Sequence, residues 1–252
     1  MNSFFIGLQF LTRISVVHQE VWTEEDFGKS VRWFPLIGAV LGLCYAGAAW
    51  LLASLLPSLG IRVPPHLMAA LLAILPILLT GGLHCDGFMD TVDGLFSGRS
   101  RERMLEIMKD SAAGSYAVVA FAALLLLSYS ILLDLPAALL PAALFTMPVI
   151  GRCMMVLVIG CFPYARPEGI GKAFSLHTGR GTILFAAATT ALLLAPWGWT
   201  PFAALGAAFL LAMGLGRYAT KHLGGVTGDV YGAAELLSEA LSLLVFALCA
   251  GG

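Results

Sequence analysis

The chain has 252 residues, of which 59% are hydrophobic and only 12% charged, with a formal net charge of −1. A soluble domain carries roughly 25% charged residues, so the composition argues against a water-soluble globule and for helices bathed in lipid. The near-neutral charge offers no basic field for nucleic acid. The five cysteines (Cys44, Cys85, Cys153, Cys161 and Cys249) show neither CxxC nor finger spacing, which excludes a disulfide framework or a structural zinc site.

Residues 1–17 are apolar but have no basic leader and no small-residue cleavage site. They predict a short interfacial or re-entrant segment rather than a signal peptide, with Arg13 near the headgroups. Seven apolar runs then approach the roughly 20 residues that a helix needs to cross hydrocarbon. They cover residues 34–56, 67–83, 116–133, 138–162, 182–197, 202–216 and 231–250. The fifth and sixth are short, separated by Trp197–Pro201, and read as two passes rather than one broken helix. Gly38 and Gly42 form a small-xxx-small pair suited to close helix contact in lipid. The predicted fold is therefore an all-α, polytopic integral membrane bundle of about seven transmembrane helices, in one domain spanning residues 1–252.

Every Lys and Arg except Arg62 and Arg152 falls on one side of this topology, in residues 1–33 and the loops 84–115, 163–181 and 217–230. Basic residues mark the cytoplasmic side, which places the polar loops in the cytoplasm and the C-terminus outside.

The loop after the second run is the most informative. Asp86, Asp90 and Asp93 stand at i, i+4 and i+7, within an arc of roughly 60° on a helix. Three carboxylates on so narrow a face repel one another unless a cation lies between them. Hard oxygen ligands suit Mg²⁺, which takes one or two carboxylates together with substrate phosphates and water. A merely solvated face is the alternative, but glycines directly after an apolar pass are poorly explained by it. Gly87 and Gly94 flank the acidic face and leave room for a phosphate or a neighbouring helix. His84 lies opposite, with a ligand or acid–base role and a structural one both open. Residues 99–110 predict an amphipathic helix with an Arg103–Glu106 pair.

Two further clusters carry charge. Arg166 and Lys172 sit in a glycine-containing loop suited to phosphate oxygens, without the spacing of a P-loop. Arg152 lies inside the fourth run, where an isolated charge is expensive and demands a partner, unless it snorkels. Gly224, Gly225 and Gly228 lead to Asp229, and Glu235, Glu239 and Ser242 follow at i, i+4 and i+7 as a polar stripe on an apolar helix. An interhelical network is the structural alternative for that stripe. An aspartate near the metal, Asp229 or Glu235 are each candidates to accept a proton.

Several segments together resemble the cobalamin (5'-phosphate) synthase family, the adenosylcobinamide-GDP ribazoletransferases. They are FLTRI at residues 10–14, FPLIG at 34–38, GGLHCDGFMDTVDGLFSGRSRERMLEIMKDS from 81, YARPEGIGKAF at 164–174 and LGGVTGDVYGAAELLSE from 223. Cys85 and Met89 depart from the family's usual Leu and Ala and leave the acidic spacing intact. The resemblance implies that a ribose hydroxyl of alpha-ribazole or its 5'-phosphate attacks adenosylcobinamide-GDP, releasing GMP. On that reading Asp86, Asp90, Asp93, Asp229 and Glu235 are catalytic, and the first three bind Mg²⁺. His84, Arg152, Arg166 and Lys172 bind substrate. The partners are those small molecules and the lipid bilayer of the bacterial inner membrane, with the active site facing the cytoplasm; a homo-oligomer is left open. The acidic segment also looks like a distant analogue of the paired aspartates of CDP-alcohol phosphotransferases, an analogy of chemistry only. A secondary transporter is the rival class, but the polar groups gather at one face and no inverted repeat is visible.

Overall fold

The computed structural model describes residues 3–17 and 23–250. Thirteen α-helices are described: α1 Ser3–Leu11, α2 Glu24–Ser30, α3 Phe34–Trp50, α4 Leu56–Ser58, α5 Pro65–Thr80, α6 Leu83–Leu95 and α7 Arg101–Ile107, then α8 Ser115–Asp134, α9 Leu140–Cys161, α10 Ile170–His177, α11 Arg180–Leu194, α12 Thr200–Leu223 and α13 Gly228–Ala250. Among the described residues no strand forms; Tyr164 and Val226 meet in one isolated parallel bridge.

Six helical stretches are long and apolar enough to cross a membrane, and a seventh is counted if α5 and α6 form one bent span. The chain is thus a polytopic helical bundle. α9 is its axis: 89% of its most apolar window is buried, against 17% for α8. The bundle is apolar outward as well as inward. Leu126, Leu184, Leu192, Leu210 and Leu248 are all exposed, whereas Arg152, Glu235 and Glu239 are buried at the centre. That inversion is what a lipid solvent selects.

Without a hydrophobic drive between helices in lipid, association depends on close packing at small residues. A Cβ on Gly38 or Gly42 would collide with the carbonyls of Pro148 and Phe145, so α3 lies directly on α9. Gly151 does the same for α13: an added Cβ would stand 3.2 Å from the Glu235 carbonyl.

The second expected pass is α5, and the acidic loop that follows it begins as a further helix, α6. α5 ends at Thr80, and Gly81 and Gly82 both take left-handed backbone, with φ of 65° and 74°. α6 leaves at 91° to α5. Side chains other than glycine resist two successive left-handed residues, so the glycine pair determines the turn. α12 extends seven residues past the expected end at Gly216, to Leu223. α13 begins at Gly228, before the expected Tyr231, because the Thr227 hydroxyl caps it by accepting from Val230 N at 3.4 Å. The N-terminal segment is more than interfacial. Ile6, Leu8 and Leu11 of α1 are buried and pack it against α2 and α3; the first two residues lie outside the described ones.

Candidate active site

The polar loops meet at one end of the bundle. Ala165 N donates to the Val226 carbonyl and Val226 N to the Pro163 carbonyl, each at 2.8 Å. Gly225 makes this possible, since a Cβ there would stand 2.5 Å from the Pro163 carbonyl oxygen. Arg101 donates through Nε to the Leu223 carbonyl at 2.7 Å, tying α7 to the end of α12. Arg101 is therefore committed to backbone, and Arg103 pairs with Glu106 at 2.9 Å as its spacing predicts.

α6 is the acidic helix, and it crosses α13 at two glycines. A Cβ on Gly87 would lie 3.0 Å from the Asp229 carbonyl, and one on Gly232 3.4 Å from His84 Cα. The space beside the acidic face is thus taken by a neighbouring helix. The crossing sets the first turn of α13, with Asp229, beside the aspartates of α6. Asp90 feels the negative charges of Asp229 and Asp86, opposed by the Arg166 guanidinium. Arg166 donates to Asp229 Oδ2 at 2.7 Å and to the Met108 carbonyl at 3.2 Å. The Thr227 hydroxyl donates to the same Asp229 oxygen at 3.1 Å. Asp229 is thereby held by a cation on one side and a hydroxyl on the other, at a helix N-terminus that itself favours negative charge.

Asp93 points elsewhere. Its carboxylate accepts from Gly114 N at 2.5 Å and Ala117 N at 3.2 Å, so it caps α8. Among the described residues no three His, Cys, Asp or Glu side chains are grouped as a ready-made metal site. Asp86 and Asp90 of α6 and Asp229 of α13 do lie near enough for their charges to act on one another.

Two cavities adjoin this group. The smaller, about 160 Å³, is walled by α1, α6, α9, α10 and α13. The larger, about 610 Å³, opens at the α5–α6 bend beside α1. Asp86 lines both, and Asp229 and His84 line the smaller. Arg13, which the charge pattern placed only near headgroups, lines the larger one. Its backbone N donates to the Leu79 carbonyl at 2.7 Å, and its guanidinium occupies the space that a side chain at position 81 would need. No sequence spacing links residue 13 to residue 81, so only the fold reveals the pairing. Tyr164, given no role in the sequence beyond opening the YARPEGIGKAF segment, lies tilted against Tyr231 with ring centroids 6.2 Å apart. Burial raises its hydroxyl pKa above the ordinary value, against the pull of Arg166.

Arg152, Glu235 and Glu239 form a separate cluster. Arg152 Nη1 pairs with both carboxylates. Arg152 and Glu235 are each 1% exposed, so Arg152 does not snorkel. Neither lines the two larger cavities; they border a void of about 20 Å³ with His84 and Glu239. His84 stands between the groups, its Nδ1 4.0 Å from Glu235 Oε2. Lys172 donates to the Pro167 carbonyl and closes its own loop. The structure thus gathers Asp86, Asp90, Asp229 and Arg166, with His84 at the edge. It places Arg152, Glu235, Lys172 and the Asp93 carboxylate in other contacts.

A family model described as cobalamin-5-phosphate synthase matches residues 3–247. The chain is 41% identical over 258 residues to an adenosylcobinamide-GDP ribazoletransferase of Desulfitobacterium hafniense (strain Y51), covering 97% of this chain and 96% of that protein. It is 38% identical over 255 residues to a protein of the same name from Stutzerimonas stutzeri (strain A1501), covering 100% of both. No solved structure matches the chain. With its matched segment running through α1 and nearly to the end of α13, the chain belongs to the cobalamin-5-phosphate synthase family.

Proposed function

We propose that the protein joins adenosylcobinamide-GDP to alpha-ribazole or its 5'-phosphate with release of GMP, at the cytoplasmic face of the bacterial inner membrane. The observation that carries this reading is Asp86. It lines two cavities at once, beside Asp90, Asp229 and Arg166, as a transfer between two substrates requires. In the step, the ribose hydroxyl oxygen forms a bond to the phosphorus that bears the cobinamide. The diphosphate P–O bond breaks, and GMP leaves with that oxygen and the bonding electrons. The hydroxyl proton passes to a carboxylate. Asp229 is our candidate acceptor, because it lines the smaller cavity with Asp86 and is oriented by Arg166 and Thr227.

Asp86 and Asp90 would hold Mg²⁺, with substrate phosphate and water completing its shell. When bound, the ion supplies charge neutralisation for the phosphate oxygens and the departing GMP. Phosphoryl transfer depends mainly on positioning and charge stabilisation, and the two-helix arrangement of carboxylates serves both. The excess of Lys and Arg at this end of the bundle supports the cytoplasmic orientation.

The test is GMP release by purified protein in lipid nanodiscs, with each substrate and Mg²⁺ omitted in turn. Asp86→Asn and Asp229→Asn are expected to lower turnover at least about a hundredfold while leaving thermal stability near wild type. Wild-type turnover in both variants, or GMP release that ignores chelation of divalent ions, would refute the reading.

A further inference from the structure

The two cavities differ in size and lining, and the difference separates the two substrates. We infer that the 160 Å³ cavity between α6, α10 and α13 is the subsite for the ribazole base, and that the 610 Å³ cavity at the α5–α6 bend receives the diphosphate end of the donor. The inference rests on the transferase reading above.

The smaller cavity takes its walls from Phe10, Met155, Ile170, Phe174 and Tyr231. Phe10 and Phe174 meet edge to face, with ring centroids 5.5 Å apart. Such walls suit a flat, bicyclic, apolar base: pockets of this kind bind by apolar contact and use a few polar groups for orientation. A benzimidazole has no exocyclic polar group to strand there. A corrin ring alone outsizes the space. The ribose would then lie towards Asp229, Asp86 and His84, the polar groups on the α6 and α13 walls.

The larger cavity presents Arg13 together with Asp86. A guanidinium forks onto phosphate oxygens. Here it is held at the bend by the Arg13 N to Leu79 carbonyl bond and by the absence of a side chain at Gly81. Asp86, common to both cavities, stands where the acceptor hydroxyl and the donor phosphorus must meet.

The experiment uses the full protein in nanodiscs and two probes, alpha-ribazole alone and GDP with Mg²⁺ alone, measured by equilibrium binding, followed by KM for each substrate. Ile170 is 47% exposed, so changes there spare the core. Ile170→Trp, which fills the small cavity, and Ile170→Ala, which thins its wall, should each weaken alpha-ribazole roughly tenfold and leave GDP binding unchanged. Arg13→Ala should weaken GDP roughly tenfold and leave alpha-ribazole unchanged. The opposite pattern, equal losses of both probes in every variant, or no loss in any, overturns the assignment. Failure of the transferase reading shows itself differently, as wild-type protein that binds both probes and releases no GMP.

Discussion

Replacing Arg152 by Met removes one charge and little volume, and the structure predicts a large loss of stability. The guanidinium is 1% exposed and pairs with Glu235 and Glu239, which are 1% and 6% exposed. Without it, two buried carboxylates lose the guanidinium that pairs with both. Breaking a buried ion pair by removing one partner costs about 3–5 kcal/mol. A neutral interhelical hydrogen bond in a membrane protein contributes only about 0.6 kcal/mol. The two mechanisms are therefore separable by magnitude. At about 2–4 °C of Tm per kcal/mol for a chain of this size, Arg152→Met should lower Tm by roughly 6–20 °C in nanodiscs. A companion variant, Arg152→Met with Glu235→Gln and Glu239→Gln, carries no buried charge and should recover at least half of that loss. Melting followed by the protein's tryptophan fluorescence, with monodispersity checked after heating, measures both. A Tm within about 2 °C of wild type for Arg152→Met would refute the claim that the three charges are mutually dependent.

Asp93→Ala should cost about 0.5–2 kcal/mol through loss of the α8 cap, seen as a lower Tm, with Asn at the same position closer to wild type; an unchanged Tm would remove the capping role. Gly87→Val places a branched side chain where only 3.0–3.2 Å separates an added Cβ from the Asp229 backbone. It should lower GMP release more than tenfold by displacing the first turn of α13, and wild-type turnover would show that the crossing is not needed for the reaction. Cysteines introduced at Ser100 and Ser58, in a background lacking the native exposed ones, should react with a charged maleimide from opposite faces of oriented vesicles. Labelling of both from one face would overturn the topology.

The sequence makes the bundle legible because hydropathy is a bulk property: seven apolar runs are visible without knowing what they touch. Asp86, Asp90 and Asp229 were legible as candidates for a related reason, since carboxylates beside glycines at the ends of apolar runs have few structural uses. Roles that depend on distant partners were not legible. Asp93 shares the helical face of Asp86 and Asp90 in sequence, yet its two oxygens belong to the amides of Gly114 and Ala117. Arg101 is in sequence only one of the basic residues of the loop 84–115, and the fold commits it to the open carbonyl of Leu223. The paired Gly81 and Gly82 signal a break, but its 91° angle and the docking of Arg13 into it emerge only when α1 folds against α5 and α6. Arg152 reads in the sequence as a buried charge that demands a partner and Glu235 as part of a polar stripe; that they pair with each other, apart from the Asp229 group, is visible only in the fold.

That last placement gives the buried charges a consequence for the site above them. α13 carries Asp229 in its first turn and Glu235 and Glu239 further along the same helix. A helix shifted by one residue turns by roughly 100° and moves 1.5 Å, which would carry both glutamates off Arg152. The ion cluster therefore fixes the depth and rotation of α13 against α9, and with them the position of Asp229 beside α6. Apolar side chains in lipid supply no comparable register, because many rotations of an apolar helix pack almost equally well. The uncharged triple variant separates register from stability. It should recover at least half of the lost melting temperature and still release GMP at least about tenfold more slowly than wild type, since about 1.4 kcal/mol of lost positioning suffices for that factor. Wild-type turnover in that variant would mean that glycine packing at Gly87, Gly151 and Gly232 alone sets the register of α13, and that the buried charges have no part in placing Asp229.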